Sequence, residues 1–301
     1  MKFFAKKETL TQTIAFMAIM TAVNVIITVL IGLFPIASLF LILLLPLTST
    51  LVEYYCKDRY YLIYFFAVIG LSISTTLWNI EMTLFYVIPS LITGYIFGLF
   101  CKKNLPSIYS ILIASLLLMG ISLAFVPLIN FLFNIDLVNN IETIFKLNES
   151  EYIKYIIPSI FFVISLIQIS LSYLIISKEL NKIGYEEKTK NLIEWINEWI
   201  LFGVSALAFF LSFFEIQVAY ILMFIAIYFC IHVIANYIQN KNYYTLIILG
   251  FGLVLNLIIF AAAYESMNKP SGFILLVFTP LWVGFITTIF SFLKRKPKSL
   301  E

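Results

Sequence analysis

Apolar runs of about 20 residues, separated by short polar breaks, follow one another along the whole chain. A helix of that length covers a bilayer core of roughly 30 Å, and it satisfies its own backbone hydrogen bonds where no water can. A transmembrane barrel would show segments of about ten residues alternating apolar and polar, and runs such as FLILLLPL do not alternate. The pattern predicts an all-α, polytopic membrane protein with ten transmembrane helices. They fall at residues 10–33, 36–54, 60–79, 83–101, 107–133, 153–177, 196–214, 217–238, 243–263 and 272–293.

An even number of crossings puts both termini on one side. With that side cytoplasmic, 16 of the 19 basic residues lie inside and Lys146, Lys154 and Lys269 outside, as the positive-inside rule requires. The shortest break is FEIQ around Glu215, which has no Gly or Pro to turn the chain. Two spans are read there, because fusing them would invert everything downstream and carry the KRKPK tail outside.

Two connections have a pattern of their own. The outer loop 134–150 spaces Leu137, Ile141 and Phe145 four residues apart, an apolar stripe suited to the membrane surface or to closing over a pocket. The inner connector from Lys178 to Glu198 divides the chain into a six-helix part, 1–178, and a four-helix extension, 179–301. Its end, NLIEWINEW, places Trp195 and Trp199 on one face, as an interfacial belt does.

Composition agrees with this reading: the 301 residues are 62% hydrophobic and 12% charged, with a mean hydropathy of +1.03. The Ile, Asn, Phe, Tyr and Lys bias suggests a bacterial genome rich in A and T, and hence a bacterial cell membrane. Cys56, Cys101 and Cys230 have neither the number nor the spacing of a disulfide framework or zinc site, and are expected as reduced thiols. MKFFAKKETL begins like a signal peptide, but the apolar run continues to Phe34 without a cleavage pattern, so a retained first helix is expected.

Catalytic chemistry is sparse. Glu53, Glu81, Lys154, Glu198, Glu215 and Glu265 all fall at or near span ends, so no span carries the interior charge that proton-coupled carriers keep. His232, the single histidine, stands two residues from Cys230 on a different helix face, which excludes a metal pair. Phosphate-binding, zinc-protease and serine-hydrolase motifs are absent. The chain reads as a non-enzymatic binder, conduit or scaffold without cofactor, metal or nucleic-acid partner. Uphill movement of a solute would need energy from another protein.

In the first helix, IAFMAIMTAVNV places Ala15, Ala18 and Ala22 within a sector of about 60°, with Asn24 on the opposite side. Small residues at this spacing let another helix approach closely in lipid. The other helix could belong to the same chain or to a partner; GYIFG at 94–98 repeats the pattern. The Asn face is expected to turn into the bundle.

The opening TQTIAFMAIMTAVNVIITVL, the LFPIAS break and the fourth span ending PSLITGYIFGLFCKKN resemble the substrate-binding S component of energy-coupling factor (ECF) vitamin transporters, over about residues 8–178. The longer chain, with helices added after that bundle, is similar to the YybS-like family of bacterial membrane proteins. The four extra spans depart from a six-helix S component. The resemblance implies that the small-residue face of the first helix docks on a transmembrane coupling subunit bound to two cytoplasmic ATPases. Carried over, Ala18 and Ala22 are partner-facing and Ala15 is adjacent.

A ligand site is expected at the outer ends of spans three to six, where Trp78, Asn79, Glu81, Tyr86, Asn130, Asn134 and Tyr155 gather. Aromatic walls would stack a flat ring, and the amides and carboxylate would orient its polar edge; an interfacial belt would use the same residue types. The outer face carries seven acids against three bases, a charge of 3 − 7 = −4, which disfavours an anionic solute. Two functions follow: a small-molecule-binding subunit of an ECF-type transporter energised by partner ATPases, or a non-transporting scaffold in envelope growth, division or sporulation.

Overall fold

The computed structural model describes residues 6–77, 83–133, 152–182, 193–263 and 277–294, which contain ten α-helices and no strand. In chain order they are α1 (Leu10–Leu33), α2 (Pro35–Tyr55), α3 (Tyr61–Thr75), α4 (Ile88–Lys102), α5 (Ser107–Phe133), α6 (Tyr152–Lys182), α7 (Ile193–Leu211), α8 (Ile216–Gln239), α9 (Tyr243–Ala263) and α10 (Phe278–Lys294). Four are long and apolar enough to cross a membrane: α1, α5 over Ser107–Leu128, α6 over Ile157–Lys182, and α8. Shorter apolar stretches occupy α2, α4, α7, α9 and α10. These lengths and compositions fit a helical membrane protein.

The helix starts and stops have local causes. Thr9 caps α1, its hydroxyl accepting from the Gln12 N–H at 3.3 Å, while its carbonyl accepts from Thr13. The LFPIAS break holds a single non-helical residue, Phe34, before Pro35 opens α2; proline is tolerated there because the first helical N–H has no partner within the helix. At the far end of α4, Asn104 takes a left-handed conformation with φ 50°, and the Leu105 N–H reaches back to Phe100 O at 2.9 Å.

The described residues form two compact units: α1 to α5 with α6 from Phe161 onward, and the start of α6 with α7 to α10. In the first, α1 and α2 fold back on one another, with Ile31, Ile42 and Leu45 buried together near their turn. The α4 helix runs parallel to α2 in very close contact. A Cβ on Gly94 would stand 2.6 Å from Pro46 O, and one on Gly98 would stand 2.5 Å from Glu53 Cβ. The GYIFG motif is therefore an internal packing seam, the use that small residues have wherever two membrane helices touch backbone to backbone. Phe97 on α4 meets Tyr173 on α6 edge to face, with ring centroids 5.3 Å apart.

In the second unit, FEIQ is a real break. The turn at 212–215 separates α7 from α8, Ala208 packs with Tyr220 and Met223 across it, and the Tyr237 hydroxyl donates to Glu198 Oε1 at 2.9 Å at the opposite end. Contacts at both ends make α7 and α8 an antiparallel pair rather than one long helix. Trp195 and Trp199 share an exposed face, with ring centroids 6.4 Å apart.

Candidate functional site

The α1 helix has two chemically distinct faces, and their rotation is fixed by hydrogen bonds. Asn24 is fully buried; its Nδ2 donates to Thr48 Oγ1 on α2 at 2.7 Å and to Leu45 O at 3.4 Å. Thr48 in turn donates to Leu45 O and accepts from the Tyr64 hydroxyl of α3 at 3.1 Å. One threonine hydroxyl thus joins three helices. Thr13, Phe16, Met17, Met20, Thr21 and Thr28 are buried on the same side of α1. In a low-dielectric interior these few polar contacts set the rotation of the helix, because another rotation would take the amide N–H groups away from Thr48 and Leu45.

That rotation turns Ala15, Ala18 and Ala22 outward, and all three are exposed. Ile14, Ile19 and Ile26, each about half exposed, flank them. The result is a shallow apolar groove, floored by alanines and rimmed by isoleucines, along the open side of the first helix. Among the described residues of its own unit, no helix fills it. Replacing Asn24 with Ala removes the anchor, and a loss of about 1–2 kcal/mol of stability is expected from the interhelical hydrogen bonds and the lost packing. Detergent-solubilised unfolding of Asn24→Ala against wild type measures it.

The end of this unit that carries Lys57, Arg59, Lys102 and Lys103 is tied together by one ammonium. Lys102 Nζ donates to Glu53 O at 3.2 Å, Glu53 Oε1 at 3.3 Å and Cys56 O at 3.0 Å, and to the Asp58 carboxylate. A cation on the last carbonyls of α2 complements its dipole. The hydrogen bond from Lys102 holds the Asp58 carboxyl below its ordinary range. Its stabilisation is therefore present above that range and is lost as the pH falls below it, through the lowered value.

Glu53 itself is 1% exposed. The sequence places it at a helix end but not inside, and the parallel α2–α4 packing explains its burial. Removing one partner of a buried pair costs roughly 3–5 kcal/mol. Because the Lys102 side chain is 28% exposed, solvent screens part of this, and Lys102→Met is expected to cost about 2 kcal/mol. The shift in thermal midpoint in detergent checks it.

Of the seven residues expected to hold a ligand, Trp78, Asn79, Glu81 and Asn134 lie outside the described residues. Asn130 and Tyr155 fall on α5 and α6, with side chains also outside the described part. Tyr86 is half-buried and packs against the Ile31, Ile42 and Leu45 cluster. The amphipathic loop 134–150 lies outside the described residues as well. His232 rests edge-on against Tyr228, one turn earlier on α8, at 4.6 Å between ring centroids.

Sequence reasoning missed a cavity of about 350 Å³ in the second unit, between α7, α9 and α10. Its walls include Phe202, Phe278, Trp282 and Phe285, with Gly252 and Asn256 contributed by α9. The signal was a glycine one turn before an asparagine on α9, facing an aromatic-rich stripe on α10. Comparison of the chain with family models, curated proteins and solved structures finds no match.

Proposed function

We infer that the protein is the small-molecule-binding membrane subunit of an ECF-type transporter in a bacterial cell membrane. In this reading it crosses the bilayer ten times with both termini in the cytoplasm, takes up a vitamin or similar micronutrient, and is energised by partner ATPases through a coupling subunit. The observation that carries the reading is the exposed alanine groove on α1, held outward by the buried Asn24 anchor on the other side. A helix facing lipid alone gains nothing from small residues, because lipid tails are as apolar as leucine; a helix meeting another helix gains close van der Waals contact.

The sequence resemblance supplies the kind of partner, and the positive-inside bias supplies the orientation. Trp78, Asn79, Glu81, Tyr86, Asn130, Asn134 and Tyr155 remain the proposed ligand set, at the face opposite the ATPases. The test is recovery of the tagged protein from its native host in mild detergent, with proteins and small molecules identified by mass spectrometry. Co-purification of a coupling subunit with its ATPases and a bound metabolite is the expected result. Recovery of envelope or division proteins, without coupling module or metabolite, would overturn transport in favour of a scaffold.

A further inference from the structure

The cavity between α7, α9 and α10 has the construction of a binding site rather than a packing defect. Its volume of about 350 Å³ falls in the range of small-molecule pockets, roughly 300–1,000 Å³. Its walls are aromatic on several sides: Phe202 and Phe285 lie 6.1 Å apart between ring centroids, and Phe278 extends the wall by packing on Phe209 at 5.4 Å. Within this apolar wall lies an unpartnered hydrogen-bond donor. Trp282 Nε1 is buried and has no acceptor among the described residues. It sits directly over Gly252, where any Cβ would collide with the indole, so glycine is what allows the ring its position. One turn on, Asn256 Nδ2 donates back to Gly252 O at 2.9 Å, which leaves its Oδ1 as an acceptor beside the same space.

We propose that this cavity binds a neutral, flat, lipid-soluble ring carrying a carbonyl or hydroxyl oxygen, which accepts from Trp282 and packs against the phenylalanine wall. Each part of the assignment follows from the lining. A buried N–H without a partner is costly, and an incoming oxygen relieves that cost. No lining residue is charged, so an ion would be desolvated without compensation, and a neutral molecule is selected. Phenyl and indole faces favour offset stacking with a ring over contact with a flexible chain. Leu255 and Phe285, on the cavity's rim, are 41% and 47% exposed on helices with apolar stretches, which points to access from the bilayer. This site is separate from the α1 groove, and its failure would leave the reading of that groove unchanged.

The test uses the full chain in nanodiscs of phosphatidylethanolamine and phosphatidylglycerol, with 2-methyl-1,4-naphthoquinone as the probe ring and equilibrium dialysis as the readout. Saturable binding is expected, with roughly tenfold lower affinity in Trp282→Phe, which keeps the wall and removes the donor. Without probe, Trp282→Phe should melt no lower than wild type, because an unpaired buried donor has been removed; a purely structural tryptophan would lower it. Should that variant fail to fold, Leu255→Trp at the exposed rim keeps the donor, fills the opening and is expected to abolish binding. 1-Dodecanol, a chain with the same kind of acceptor, should not displace the probe. Absence of saturable binding, equal affinity in both variants and wild type, or equal displacement by dodecanol would each overturn the assignment.

Discussion

Replacing Ala18 and Ala22 together with leucine is expected to abolish association of the protein with the proposed coupling subunit while leaving its own fold intact. Both side chains point away from the bundle, so added methylenes meet no neighbour within the described part of the first unit, and an exposed apolar substitution should alter stability by no more than about 0.5 kcal/mol. The partner helix is affected differently. A leucine at each position fills the alanine floor between Ile14, Ile19 and Ile26 and holds an approaching backbone several ångströms away, which removes the close contact on which small-residue packing depends. Co-purification should fall at least tenfold, and solute uptake with it, while the thermal midpoint in detergent is unchanged. Retained co-purification and uptake would show that the groove faces lipid only.

The opposite outcome is expected at the second small-residue motif. Gly94→Ala adds a single methyl group, yet that methyl would stand 2.6 Å from Pro46 O. The obstruction is main chain, which no rotamer change can relieve, so α2 and α4 must separate. Separation disturbs the Lys102 tie between the helix ends. Over-packing a core usually costs 1–3 kcal/mol; here about 3 kcal/mol or more is expected, visible as a lower unfolding midpoint and reduced membrane yield. A Gly94→Ala protein as stable as wild type would mean that α2 and α4 are not packed as described. The pair of experiments separates two uses of one motif: bulk is tolerated by the fold at Ala18 and Ala22, and rejected by it at Gly94.

Much of the helical layout was legible in the sequence, because hydropathy reports directly on where a chain can leave water. The first and fifth helices begin and end where the apolar runs do, at 10–33 and 107–133, and FEIQ breaks the chain despite lacking Gly and Pro. The two faces of α1 were also legible, since a 100° turn per residue separates Asn24 from the alanines whatever surrounds them. That the Asn face turns inward was legible too, and Asn24 is fully buried; whether the alanine ridge packs inside its own chain was not, because AxxxA and GxxxG look alike in sequence, and only the exposure of Ala15, Ala18 and Ala22 shows that the first is left outward. Glu53 looked like an ordinary helix-end carboxylate, and its burial depends on the parallel approach of α4, a long-range fact. The aromatic cavity was hidden for a related reason. Phe202, Gly252 and Trp282 are far apart in sequence, and none forms part of a motif with a mechanism of its own.

The central claim is that the alanine face of α1 meets another protein. A photo-crosslinking amino acid placed at Ala18, with a control at Phe66, an exposed apolar position on α3, tests it most directly in intact cells of the native host. The account predicts one discrete crosslinked membrane protein from Ala18, identified as a transmembrane coupling subunit, and none from Phe66. Crosslinks to lipid alone from both positions would contradict it.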